Sequence, residues 1–235
     1  MATFVLIPGA DGHAWFWHRL VPELRARGHE TVAVEMPTEP SAGLAEYAEA
    51  VVDAIGDDAV DDGTEVVVVA QSIAGFVGPL VCEQVPVDLL ILLNAMVPAP
   101  GETADAWWAD TGQAEARAEA AARAGRDPKA EFDLLTEFFH DVPPSVTEEA
   151  MAAGPSSSSD TFFADPWPLD EWPDVPTRFL QGRDDRFFPI EFQRRVVEER
   201  LGLPVEELPG GHLLALSEPV ALAEKLAAAV RELAR

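Results

Sequence analysis

Cysteine is almost absent from this 235-residue chain, where Cys82 stands alone. A single thiol excludes an internal disulfide, and without clustered Cys/His spacing no familiar structural zinc site can form. Cys82 is read as a small apolar side chain that packs a helix. Basic residues are also scarce, 16 against 42 acidic ones, with lysine only at Lys129 and Lys225 and a formal net charge of −26. A surface this negative repels nucleic acid and anionic membranes, so neither is expected as a partner. A highly solvated surface, adaptation to salt and a generally acidic proteome would all give the same excess. Long hydrophobic runs are missing too. The longest, VDLLILLNAMVPAP, falls short of the roughly 20 residues that span a bilayer, and it ends in prolines. The opening MATFVLIPGADG has no basic leader and reads as a first strand rather than a signal peptide, so a soluble, cytoplasmic protein is the expectation. No internal repeat is visible.

What the chain does have is a 48% hydrophobic composition, enough for one well-buried core and better suited to a single α/β domain with an insertion than to two domains. Short β-branched runs alternate with longer amphipathic stretches, the pattern of a mostly parallel sheet flanked by helices. ATFVLIP, ETVAVEM, EVVVVA, DLLILLN, TRFLQG and VEEL are the predicted strands, and helices are expected near 14–27, 43–56, 73–84, 189–201 and 217–234. Near-continuous Val, Ile and Leu within the strands is what a sheet covered on both faces demands. The alternation stops between about 98 and 175. There the sequence predicts helices around WWADTGQAEARAEAAARAG, KAEFDLLTEFF and SVTEEAMAA, a turn at PSSSSD and a Pro/Trp-rich exit. Residues 1–97 and 176–235 are therefore assigned to the α/β core and 98–175 to a helical cap or lid.

Within that frame one stretch, VVVVAQSIAGF, sets a serine where a strand gives way to a helix. A serine N-cap is common at such a place. A nucleophile elbow needs more: it forces positive φ at the serine and small residues two before and two after, here Ala70 and Ala74 with Gly75 following. An activated serine also needs a base within hydrogen-bond reach and an acid that orients the base. PTRFLQGRDDRFFP supplies Asp185 after the fifth strand, with Asp184 bracing the turn, and LPGGHLLALSEP supplies His212 in a glycine-bounded loop. His18, His29 and His140 lack that framing and are read as exposed or structural. The glycine-containing loop LIPGADGHAW after the first strand could offer the Ala10 N–H as one oxyanion donor, and Ile73, the residue after the serine, would offer the other.

Taken in order, PGADGHAWFW, AQSIAG, GRDDRFFP and GGHLLALSEP resemble the α/β-hydrolase superfamily, in the small-cap branch that includes plant methylesterases and hydroxynitrile lyases with many bacterial relatives. The resemblance covers both ends of the chain and is weakest in the cap. It implies an α/β-hydrolase fold and a cofactor-free serine hydrolase acting on a small to medium carboxylic ester, with Ser72 as nucleophile, His212 as base, Asp185 as the orienting acid and no metal. The chain departs from the branch in carrying Pro8-Gly9 where His-Gly is commonest, and Ala70-Gln71-Ser72 where Gly-His-Ser or Gly-Glu-Ser is commonest. Cyanohydrin cleavage in that branch relies on a lysine directly after the histidine and a threonine in the first loop. Leu213 and Gly9 stand there, so lyase activity is not expected. The alternatives left open are a thioesterase, lyase or cyclase on the same scaffold, and a ligand-binding receptor with a vestigial triad. Trp107, Trp108, Phe138, Phe139, Phe162, Phe163 and Trp167 make the cap aromatic. Trp107, Phe139 and Phe163 are candidate pocket residues, with His13 and Trp15 near its mouth, though the same rings could simply pack the cap on the sheet. Arg183 and Arg186 could draw a substrate carboxylate or form ordinary ion pairs. A small-molecule ester as partner and a monomer or homodimer complete the expectation.

Overall fold

The computed structural model describes residues 1–61, 63–154 and 158–233. Six strands form one parallel sheet in the order β2-β1-β3-β4-β5-β6: β1 Ala2–Ile7, β2 Glu30–Ala33, β3 Glu65–Gln71, β4 Leu89–Leu93, β5 Thr177–Gly182 and β6 Val205–Leu208. These are the six runs predicted. Their side chains divide between two cores by strict alternation. Val5, Ile7, Val66, Val68, Ala70, Leu90 and Leu92 face one side, while Phe4, Leu6, Val67, Val69, Leu89, Ile91 and Leu93 face the other.

The first core is covered by α2 (Leu44–Asp61), α3 (Gly78–Cys82) and α9 (Ile190–Leu201), the second by α1 (Leu20–Ala26), α10 (Leu214–Ser217) and α11 (Pro219–Leu233). α11 buries Leu222, Ala223, Leu226, Ala227 and Val230, a stripe at helical spacing. The helix expected at 73–84 is instead a 3₁₀ turn, Ser72–Phe76, followed by α3, which has Pro79 in its first turn. From β1 the chain passes to one neighbour, β2, and then returns to the other, β3. A crevice is left at the carboxyl ends of β1 and β3, where ligands of such sheets bind.

Between β4 and β5 lie α4 (Ala104–Thr111), α5 (Gln113–Arg123), α6 (Leu134–Glu137), α7 (Pro144–Ala152) and α8 (Asp160–Ala164), with one isolated bridge, Thr103 to Pro166. The helix expected through WWADTGQAEARAEAAARAG is cut in two by Gly112, whose φ of 68° ends α4. The one expected around KAEFDLLTEFF shrinks to the single turn of α6, which starts where the Asp133 side chain caps the Thr136 N–H. Half of the PSSSSD turn, residues 155–157, lies outside the described residues. Buried Glu102 pairs with Arg200 of α9, and the Trp167 indole N–H donates to the Phe76 carbonyl at 3.1 Å, so the segment is tied to the core beside the 3₁₀ turn.

Candidate active site

Parallel strands of matched register bring their exits level. Ala70 pairs with Ile7, Gln71 with Leu93 and Gly182 with Leu208. Ser72 therefore emerges beside the loops that follow β1, β4, β5 and β6. Its φ is 55°, one of two positive values at non-glycine positions among the described residues. The left-handed conformation costs an ordinary side chain about 1–3 kcal/mol and persists only where the surroundings dictate it. Here the Ser72 carbonyl accepts the Met96 N–H at 2.9 Å, and a Cβ at Gly75 would come within 1.8 Å of the Met96 carbonyl oxygen. The turn is pressed against the β4 exit too tightly for a side chain at Gly75.

His212 bridges the other two residues of the sequence pattern. Its Nε2 lies 3.1 Å from Ser72 Oγ and its Nδ1 2.8 Å from Asp185 Oδ2, all three side chains being buried. Asp185 is held in turn: the Phe187 and Phe188 N–H groups donate to Oδ1 at 2.9 Å, and Gln181 Nε2 donates to Oδ2 at 3.1 Å. A buried carboxylate with four donors has its oxygens fixed in direction, so the imidazole it meets is fixed as well.

Asn94, the other positive-φ residue at 47°, gave no signal in the sequence beyond ending an apolar run. Fully buried, it accepts the Gly182 N–H at 2.8 Å and donates to the carbonyls of Gly211 and His212 at 2.9 Å. One side chain thus ties the exit of β4 to the loops that carry Asp185 and His212. Gln71, where the branch more often has His or Glu, donates to the His212 carbonyl at 3.4 Å.

Around the imidazole stand three phenylalanines. Phe138 stacks on it with centroids 4.6 Å apart, and Phe187 and Phe188 meet it edge-on at 5.6 and 5.2 Å. Of the candidate pocket residues, Trp107 is fully buried, packed against Phe188 and Phe192 with its indole N–H on the Val97 carbonyl. Phe139 and Phe163 are partly buried in the two cores, Trp15 stacks on His18, and His13 pairs with Glu35 at 2.7 Å. A cavity of about 80 Å³ opens beside Ala10, lined also by Asp11, His13, Tyr47 and Ser158. Asp11 is exposed at its rim, yet the protein packed around it raises its carboxyl to about 6. Burial pushes the Cys82 thiol up to about 12, which leaves no thiolate near neutrality.

A model of the alpha/beta hydrolase family matches residues 4–225. The chain belongs to the alpha/beta hydrolase family. Among its relatives within that family is the rice (Oryza sativa) protein named probable esterase PIR7A, 27% identical over 95% of this chain and 94% of its own length. The alpha-hydroxynitrile lyase of Arabidopsis thaliana is 23% identical over 96% of this chain and 95% of its own. Among solved structures, polyneuridine aldehyde esterase superposes with a TM-score of 0.75 at 20% identity, covering 98% of this chain and 99% of that one. Full-length coverage by family members with esterase and lyase names places this chain among the hydrolase-like enzymes of the fold and leaves the reaction to be argued from its own residues. Among the described residues no helix is long and apolar enough to cross a membrane.

Proposed function

We propose that this protein is a serine esterase that cleaves small to medium carboxylic esters through an acyl-enzyme on Ser72, with the helical segment 98–175 as its cap. One observation carries the reading: His212 joins Ser72 Oγ and Asp185 Oδ2 at 3.1 and 2.8 Å while Ser72 is held at a strained positive φ. That geometry has no structural use that an unstrained serine could not serve.

In the proposed reaction Ser72 Oγ attacks the ester carbonyl as His212 Nε2 takes its proton. Asp185 keeps the other ring proton on Nδ1 and stabilises the imidazolium. The leaving alcohol takes the proton from Nε2. Water activated by the same nitrogen then releases the acid. The Ile73 N–H lies in the first turn of the 3₁₀ helix, where amides lack an intrahelical partner, and it is one donor for the oxyanion. The loop that bears Ala10 supports the second, because a Cβ on neighbouring Gly9 would come within 3.2 Å of Ser72 Cβ. Each donor is worth about 3 kcal/mol at the transition state. Leu213, buried and uncharged, follows His212, so no cation stands where a departing cyanide would need one. The phenylalanines that box the imidazole favour an apolar acyl or alcohol group.

The test is intact mass after treatment with a fluorophosphonate, for wild type and Ser72→Ala, together with a panel of p-nitrophenyl esters and the matching thioesters. One adduct on wild type alone, with ester turnover, supports the reading. Labelling with thioester turnover only would move the assignment to a thioesterase. A folded wild type that takes no label would favour a receptor.

A further inference from the structure

Two adjacent residues of the helical segment, His140 and Asp141, reach down to the two loops that carry the proposed acid and base. Asp141 Oδ2 accepts the Gly211 N–H at 2.6 Å, and Gly211 immediately precedes His212. The His140 ring lies near the backbone of Asp184, which immediately precedes Asp185. Contact with Gly211 is close, since a Cβ there would lie 2.8 Å from His140 Nε2 and 2.9 Å from Asp141 Oδ1. Asn94 holds the same loop from the sheet side through the Gly211 and His212 carbonyls, so the peptide before His212 is gripped from both directions.

The pair is also incompletely satisfied. His140 Nε2 and Asp141 Oδ1 are buried without a hydrogen-bond partner and face each other at 4.0 Å. Burial, aided by nearby Arg186, lowers the pKa of His140 against the pull of Asp141 and Asp185. Unpaired polar atoms in a protein interior cost stability.

We propose that His140 and Asp141 are positioning residues, a two-point staple that fixes the spacing of Asp185 and His212 and makes that spacing depend on the seating of the helical segment. The proposal rests on the reading of Ser72, His212 and Asp185 given above. The physical demand is strict, because a displacement of about 1 Å in a catalytic group can cost on the order of 100-fold in rate. Neither side chain touches the reacting atoms; both act through backbone.

Two readouts test it on the full chain. The low-field proton resonance of the His212 Nδ1–H bonded to Asp185 reports the pair without turnover, and the second-order rate of fluorophosphonate labelling reports the nucleophile. Asp141→Ala is expected to shift or broaden the resonance and to slow labelling by about 10- to 100-fold. Asp141→Asn, which keeps an acceptor for the Gly211 N–H, should restore both to within about threefold of wild type, a rescue that a purely structural charge would not give. His140→Ala should slow labelling, and His140→Gln should recover part of it. An unchanged resonance and labelling rate in cooperatively folded Asp141→Ala would overturn the staple. Should Asp141→Ala fail to fold, Asp141→Ser decides in the same way, with partial loss expected and wild-type behaviour overturning it. A wild type that takes no label but whose resonance moves in Asp141→Ala would sink the esterase reading and leave the staple standing.

Discussion

Phe138 lies face to face on the imidazole of His212, the ring centroids 4.6 Å apart and the planes within 16°. A residue of the helical segment therefore forms one wall of the imidazole's box, and Phe132 and Phe187 pack against the Phe138 ring at 5.5 and 4.8 Å. An offset aromatic pair is worth about 0.5–1.5 kcal/mol beyond its buried area. Phe138→Ala should accordingly lower kcat/KM by about two- to tenfold, mostly through kcat, while Phe138→Tyr keeps it. Steady-state kinetics on any ester the wild type turns over will decide, and an unaltered kcat in Phe138→Ala would remove the ring from the account.

Ser72 is held at φ 55°, so its chemistry and its stability should oppose each other. Glycine relieves a strain of about 1–3 kcal/mol and gives back about 0.5–1 kcal/mol in unfolded-chain entropy. Ser72→Gly is expected to abolish labelling and to gain about 1 kcal/mol in urea unfolding, whereas Ser72→Ala abolishes labelling without the gain. Equal stability of the two variants would mean that the elbow is not strained.

β1, β3 and β4 were legible because burial on both faces leaves mostly Val, Ile, Leu, Phe and Ala as acceptable residues, and that demand is local; the edge strands β2 and β6 are only partly buried and carry glutamates. Ser72, Asp185 and His212 were legible as an ordered pattern, each at a strand exit. The helical segment was less so. Its helices depend on single residues such as Gly112 and Asp133 that reset the chain without changing composition, and so two expected helices came out cut or shortened. The contacts of Asn94, Phe138, His140 and Asp141 were not legible: Phe138 counted only among the aromatic residues of the cap and His140 only as exposed or structural. Each acts by meeting residues from 44 to 118 positions away, as Asn94 does with His212, and no local pattern encodes such a meeting.

Gly75 and Gly9 flank the same serine but should respond differently to alanine. At Gly75 the new Cβ would meet a backbone oxygen at 1.8 Å, which cannot swing away, so Gly75→Ala should cost about 3 kcal/mol or more and remove the elbow. At Gly9 the obstacle is Gln71 Oε1 at 2.2 Å, the end of a flexible side chain. Gly9→Ala should cost under about 1.5 kcal/mol yet slow labelling, because Gln71 must leave the His212 carbonyl and Ser72 Cβ is crowded. Thermal unfolding and labelling rates of the two variants separate these outcomes.

Glu102 and Arg200 tie the start of the helical segment to α9, the guanidinium also donating to the Val97 carbonyl at 2.6 Å. Glu102 is buried, so removing its partner strands a carboxylate in the interior. Arg200→Met should cost about 3–5 kcal/mol, and Glu102→Leu with Arg200→Met should recover much of it. A double variant as unstable as the single one would show that the pair matters for geometry rather than charge.

Acid should weaken this protein above the range in which ordinary carboxylates titrate, because of two histidines. His29 and His140 both have pKa values lowered from 6.5, burial being the main cause in each. The unfolded chain then binds protons that the folded one refuses, so stability is full above about pH 7 and falls as pH drops from 6.5 towards the folded values. Asp11 works in the opposite sense. Its carboxyl is raised from 3.8 to about 6, so the folded state holds a proton that the unfolded state has released, and stability falls as pH rises through that interval. Asp11→Asn should therefore stabilise the protein at pH 7.5 and make no difference at pH 3.5, while His29→Gln should flatten the loss between pH 7 and 5. Urea midpoints measured across that range give both slopes. An Asp11→Asn variant with no advantage at pH 7.5 would show that solvent at the cavity rim already relieves the charge.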